Sequence, residues 1–191
     1  MRFVFNLLAM FAVALAIGLG LSYFALTDGR LFGAYRVGPW SAWPAVGAPA
    51  PDPYTQALIV RSGALQLGQA EGIQFTAHVD SAGEPLRREC AYAIAGRTPI
   101  AAFWTLVAQT PQGVNIARPD GQLTLHSARV ARAPDGVATL YVSPRLAPQN
   151  WLETTGRGPL ELVMTLYDTS VFAASGSTAL TMPDIRNEGC A

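Results

Sequence analysis

The stretch from Phe3 to Thr27 carries no charged side chain. About 20 apolar residues suffice to cross the hydrocarbon core of a bilayer as a helix, the form in which a chain satisfies its own backbone there. Arg2 and the α-amino group precede the stretch, and Asp28, Arg30 and Arg36 come after it. The chain therefore divides into a transmembrane anchor over 1–27, a strap over 28–53 and one domain over 54–191. The competing reading is a secretory signal peptide, whose apolar region runs for roughly 7–15 residues before small residues at the cleavage site. Here the run continues to Leu26, and bulky Tyr23 stands two positions before Ala25. Gly18 and Gly20 leave cleavage before Leu21 as an open alternative.

Basic residues in the two flanks nearly balance, so the positive-inside rule hardly decides the orientation. The very short N-terminal flank favours a segment that stays N-in and exports the rest of the chain. The two cysteines, Cys90 and Cys190, agree with export, because an even count in an oxidising compartment reads as one disulfide. Two unrelated buried thiols are the alternative. Thirteen Arg balance thirteen Asp plus Glu, with no Lys. That balance argues against nucleic acid, which needs a basic face to displace phosphate counterions.

The strap, GAYRVGPWSAWPAVGAPAPDP over 33–53, has prolines at 39, 44, 49, 51 and 53. Such spacing predicts extended polyproline-like backbone rather than regular helix or sheet. Trp40 and Trp43 either sit at the membrane interface, where indoles are enriched, or pack the strap against the domain, the reading we favour. Asp52-Pro53 predicts a helix start, with an acidic N-cap and Pro at the first helical position, and the helix runs about ten residues towards Gly63.

After Gly72 the period changes to two. Ile73, Phe75, Ala77 and Val79 alternate with Gln74, Thr76, His78 and Asp80, the pattern of a half-buried strand. Turns at 81–85 and 96–99 bracket a second strand through Cys90, Tyr92 and Ile94. Phe103–Ala108 reads as an interior strand, Leu123–Ser127 and Val137–Val142 as further strands, and Asn150-Trp151-Leu152 leads into a long last strand, Leu160–Tyr167. Seven or so strands after one short helix predict an all-β fold, an antiparallel β-sandwich of jelly-roll-like type.

Side chains for catalysis are few. His78 and His126 each fall at the polar phase of a strand and are expected to face solvent. Glu84, Glu89, Glu153 and Glu161 are scattered and expected at solvated positions. Ser175-Gly176-Ser177 has no base nearby in sequence. No nucleophile elbow, zinc-helix motif or phosphate-cradling glycine loop occurs, so no catalytic residue, metal site or cofactor is expected. A ligand pocket would draw on Phe103, Trp104, Trp151 and Tyr167, with Arg97 or Arg118 at its rim, whereas aromatics at strand positions are more often core.

The chain resembles the DUF1214 family of bacterial proteins. The resemblance is carried by Cys90 to Pro99 (CAYAIAGRTP), Phe103-Trp104-Thr105-Leu106, Asp120-Gly121, Asn150-Trp151-Leu152 and Leu162 to Asp168 (LVMTLYD). Members often have Tyr-Asp where this chain has Ala108-Gln109, and Pro where it has Glu153. Longer members carry a DUF1254 domain ahead of this one. The resemblance implies a β-rich sandwich and, for short anchored chains, a separate DUF1254-type membrane partner. The expectation is a single-pass protein of the bacterial inner membrane, N-terminus cytoplasmic and domain periplasmic, acting by protein–protein contact. A sandwich binding a lipid or saccharide is the alternative, and a hydrolase or metal-dependent enzyme ranks last.

Overall fold

Periodicity and turn chemistry resolve into ten strands and two α-helices in the computed structural model, which describes residues 2–28, 34–63, 67–68, 70–98, 100–118, 120–169 and 181–190. Helix α1 spans Arg2–Asp28. Its segment Arg2–Phe24 has a mean hydropathy of 2.3 and no part buried against the domain. At its far end Tyr23 lies under the guanidinium of Arg61, 5.7 Å away, a cation–π contact that links α1 to α2 (Pro53–Ser62). Helix α2 begins as its sequence demands. Asp52 Oδ1 accepts from the amides of Tyr54 and Thr55, and Gly63 closes the helix in the left-handed region at φ 60°.

The strap does not follow expectation. Tyr35–Val37 (β1) and Trp40–Ala42 (β2) form a hairpin, and β2 continues onto β3 (Gly72–Ala77), with Trp40 opposite Ala77. Prolines 39 and 44 bracket this strand without entering it, so the ladder loses no donor. Gly38, at φ 56°, and Pro39 supply the turn. A Pro-free triplet is enough for one short strand. Pro44–Gly47 then makes a 3-10 turn.

The remaining strands are β4 (Cys90–Ala95), β5 (Phe103–Gln109), β6 (Thr124–His126), β7 (Leu140–Ser143), β8 (Asn150–Glu153), β9 (Glu161–Tyr167) and β10 (Asp184–Cys190). They form a six-stranded sheet in the order β1-β2-β3-β9-β5-β6 and a four-stranded sheet, β10-β4-β7-β8. The sheets are mostly antiparallel and not closed, as a β-sandwich requires. Across the larger sheet, Phe75, Met164, Leu106 and Leu125 stand in one row of the register, all buried. From the smaller sheet Tyr92, Ile94, Val142, Leu152 and Ile185 complete the same core. Gly72 opens β3 where an added Cβ would lie 2.1 Å from the Leu166 carbonyl oxygen, an approach that only glycine tolerates.

Two further features depart from the expected topology. β7 and β8 pair in parallel, Leu140 opposite Asn150 and Ser143 opposite Glu153. The linker 144–149 spans about 20 Å when extended, enough to run back past a strand of about 13 Å. β10 carries no alternation that would announce it: only Ile185 is buried. It is an edge strand held by β4, with Cys190 opposite Cys90 and their Cα atoms 3.9 Å apart in the disulfide.

Asn150 explains why the N-W-L element matters to the fold. Its Oδ1 accepts from the Ala131 amide at 2.7 Å, and its Nδ2 donates to the Ala131 and Thr139 carbonyls at 2.8 and 2.9 Å. The buried amide therefore clamps the approach to β7 onto β8. Asn150→Ala is expected to lower unfolding free energy by about 2–4 kcal/mol, from three lost bonds and buried groups left unpaired. Urea unfolding of the detergent-solubilised chain measures it; a change below about 0.5 kcal/mol, ordinary for a surface site, contradicts the clamp.

Glu89 gives the fold an acid-sensitive tie. Its carboxylate accepts from the Gly158 amide at 3.0 Å and pairs with Arg87 Nε at 2.7 Å. Those bonds hold its pKa at about 2 against an ordinary 4.5. A depressed folded pKa means that the stabilisation is complete above 4.5 and lost as pH falls from there to about 2. Glu89→Gln is expected to flatten that part of the stability–pH curve; an unchanged slope contradicts the tie.

Candidate functional site

A gap lies beside the end of β4 and the start of β5. The gap holds a cavity of about 280 Å³ lined by Ile94, Arg97, Trp104, Arg132, Asp135 and Pro183, among others. A second, more open hollow of about 460 Å³ adjoins it, sharing Thr98, Trp104 and Arg132 and adding Ile100 and Phe103. Trp104 reaches this place because β5 alternates, sending Trp104, Leu106 and Ala108 inward. Ser127 fixes its backbone: the Trp104 amide donates to Ser127 Oγ at 3.2 Å, and the Ser127 amide to the Trp104 carbonyl at 3.0 Å. Arg132 and Asp135 arrive on the turn at 133–136, closed by the Gly136 amide donating to the Ala133 carbonyl.

Three of the sequence candidates thus meet at one cleft: Arg97, Phe103 and Trp104. Tyr167 stands opposite Phe103 in the β5–β9 register, its ring 5.8 Å away, and lines neither hollow. Trp151 lies on β8, in the other sheet, with its indole N–H on the carbonyl and hydroxyl of Ser143. Arg118 is turned to Glu153 at 3.0 Å. Trp40 is fully buried and donates from Nε1 to the Pro183 carbonyl at 2.7 Å. It packs the hairpin onto the domain, the reading favoured for this indole. Trp43 is half-buried. Sequence reasoning missed Arg132, Asp135 and Pro183, whose turn and loop chemistry carries no hint of a distant Trp104.

The expectation of solvated carboxylates fails at two positions. Glu153 is buried and satisfied by Arg118; Glu161 is buried beside His78, 3.5 Å away, and accepts from Gln109 Nε2 at 3.0 Å. Burial pushes the Glu161 carboxyl upward, opposed by His78 and by the Gln109 bond. At position 109 an amide donates where an acid would repel. His78 is exposed as expected, whereas His126 is half-buried against Phe103, with ring centres 5.6 Å apart. Its Nδ1 is enclosed and unbonded among the described residues. Among those residues no group of three His, Cys, Asp or Glu is placed to hold a metal ion. Ser175-Gly176-Ser177 lies outside the described residues.

A family model described as a protein of unknown function, DUF1214, matches residues 71–171, more than half of the chain. The chain belongs to the DUF1214 family. The solved structure of the VPA0106 protein from Vibrio parahaemolyticus shares the fold, with a TM-score of 0.57 and 20% identity over 71% of this chain and 35% of that one. The chain thus spans about a third of that neighbour's length. An uncharacterised protein from Burkholderia cenocepacia aligns with a TM-score of 0.44 and 16% identity, over 91% of this chain and 51% of that one. No curated protein matches the chain. The matched segment of the DUF1214 domain includes most of the cleft, from Ile94 to Leu140, and leaves out Pro183.

Proposed function

We propose that this DUF1214 domain is tethered to the bacterial inner membrane as a single-pass protein, N-terminus in the cytoplasm and domain in the periplasm, and works there by contact with another membrane protein. The observation that carries the tether is α1. A wholly unburied apolar helix of this length would set a row of large side chains in water, from Phe3 at 79% exposed to Phe24 at 54%, and a bilayer removes that cost. The Cys90–Cys190 disulfide supports the exported side, because such bonds persist in oxidising compartments. The contact reading is supported by the apolar rim at 100–102, where Ile100 is 90% exposed. The partner proposed, on the family resemblance, is a DUF1254-type membrane protein.

Gentle solubilisation and affinity purification from cells with the native gene neighbourhood test the contact. A DUF1254-type protein recovered in stoichiometric amount is the expected result; a strictly lone monomer overturns it. Carbonate washing tests the tether. The chain is expected to stay in the membrane pellet with Met1 to Gly20 still attached, and release of a form beginning at Leu21 overturns the anchor.

A further inference from the structure

We infer that the cleft at Trp104 binds an amphiphile bearing a carboxylate or phosphate head on a single apolar chain. The inference goes beyond the tether and the protein contact and stands on the cleft alone. The apolar part of its lining comes from Ile94, Val137, Ala138, Leu140, Pro183 and Trp104. Trp104 is 3% exposed, so a ligand meets only an edge of its ring and no open face is offered for a sugar to stack on. The lining also carries two guanidinium groups, Arg97 and Arg132, and one carboxylate, Asp135. The Arg97 side chain makes no hydrogen bond or ion pair with any described residue. Arg132 uses one N–H on the Gly136 carbonyl at 3.1 Å, and Asp135 Oδ1 is already engaged by the Val137 amide at 3.0 Å.

The lining therefore keeps an excess of positive charge with donors to spare, and a guanidinium fork matches carboxylate and phosphate oxygens in pairs. The cavity of about 280 Å³ sits at the small end of ligand sites, which run from about 300 to 1,000 Å³. It takes one chain rather than two. The adjoining hollow, of mixed lining, adds Ile100, Ala101 and Phe103 as apolar surface beyond the cavity. Such a ligand comes either from solution, as a free monoacyl anion, or from the bilayer, as the head and one chain of an anionic phospholipid.

The test uses the full-length chain in phosphatidylcholine nanodiscs and follows tryptophan fluorescence. The probes are bromoundecanoate, the matching bromoundecanol and a phosphatidic acid brominated on its chains, since bromine quenches an indole on contact. Bromoundecanoate is expected to quench saturably, at a half-saturation concentration about tenfold below that of the alcohol. The Arg97→Ala/Arg132→Ala variant is expected to raise it about tenfold; both side chains are exposed, so folding is not at stake. Trp104→Phe is expected to remove the saturable component. Saturable, arginine-dependent quenching by bromoundecanoate assigns the free amphiphile; the same behaviour with brominated phosphatidic acid alone assigns the bilayer lipid. Equal half-saturation for acid and alcohol, indifference to loss of both arginines, or no saturable quenching overturns the proposal.

Discussion

Cys90→Ser/Cys190→Ser is expected to lower the unfolding free energy by about 4–5 kcal/mol. The bridge closes a loop with a sequence separation of 100, and the chain model assigns a loop of that length a denatured-state entropy of this size. Native packing offers β10 little else. Ile185 is its one buried side chain, supported by the Ser81 amide donating to the Ile185 carbonyl and the Ile185 amide donating to Ser81 Oγ. Without the bridge the strand is an edge tied by its ladder to β4, the Ser81 bonds and the single buried side chain of Ile185. In a chain of this size the loss corresponds to a fall in Tm of roughly 10–20 °C. Denaturant unfolding of oxidised and reduced protein measures it, and hydrogen exchange localises it, with β10 amides losing protection first. Coincident curves for the two forms would show that the bridge does not constrain the unfolded chain.

Trp40→Ala is expected to cost about 3–5 kcal/mol, the range for truncating a large buried aromatic. Trp40 has no exposed surface, stands opposite Ala77 on β3, and reaches with its indole N–H to the Pro183 carbonyl. One residue thus fastens the N-terminal hairpin to the segment that enters β10, 143 positions away. Trp40→Phe separates the two contributions: the ring volume largely stays while Pro183 keeps a buried carbonyl without a donor, a loss of about 1–3 kcal/mol. Trp43, half-buried, is expected to give a smaller effect on truncation. Denaturant midpoints of the three variants in detergent check the order. A Trp40→Ala protein as stable as the parent would contradict core placement and return this indole to the bilayer surface.

Local physics made much of the fold legible in the sequence. Alternation through Ile73, Phe75 and Ala77 gave β3, the Asp52-Pro53 pair gave α2, and an even cysteine count gave the bridge. Each of these signals except the bridge lies within a few neighbouring residues. The hidden features depend on partners. β10 reads as polar loop because an edge strand with one buried residue needs no apolar period. The hairpin over 35–42 is masked by flanking prolines that never enter its ladder. Parallel pairing of β7 with β8 cannot be read from either strand, since alternation reports burial and not direction.

The cleft divides the same way. Arg97, Phe103 and Trp104 lie close together in the chain and stand out by residue type. Arg132, Asp135 and Pro183 join them only through the sandwich, while Trp151 and Tyr167, chosen on the same chemical grounds, pack elsewhere. Glu153 and Glu161 looked solvated because their counter-groups, Arg118 and His78, are distant in sequence.

Everything proposed about compartment, bridge and partner depends on which face of the membrane the domain occupies. The direct measurement is a pair of fusions behind the C-terminal residue, one to a phosphatase active only after export and one to a fluorescent protein that matures only in the cytosol. Phosphatase activity and a dark fluorescent fusion are expected, both in the membrane fraction. A bright fluorescent fusion with an inactive phosphatase would contradict export of the domain.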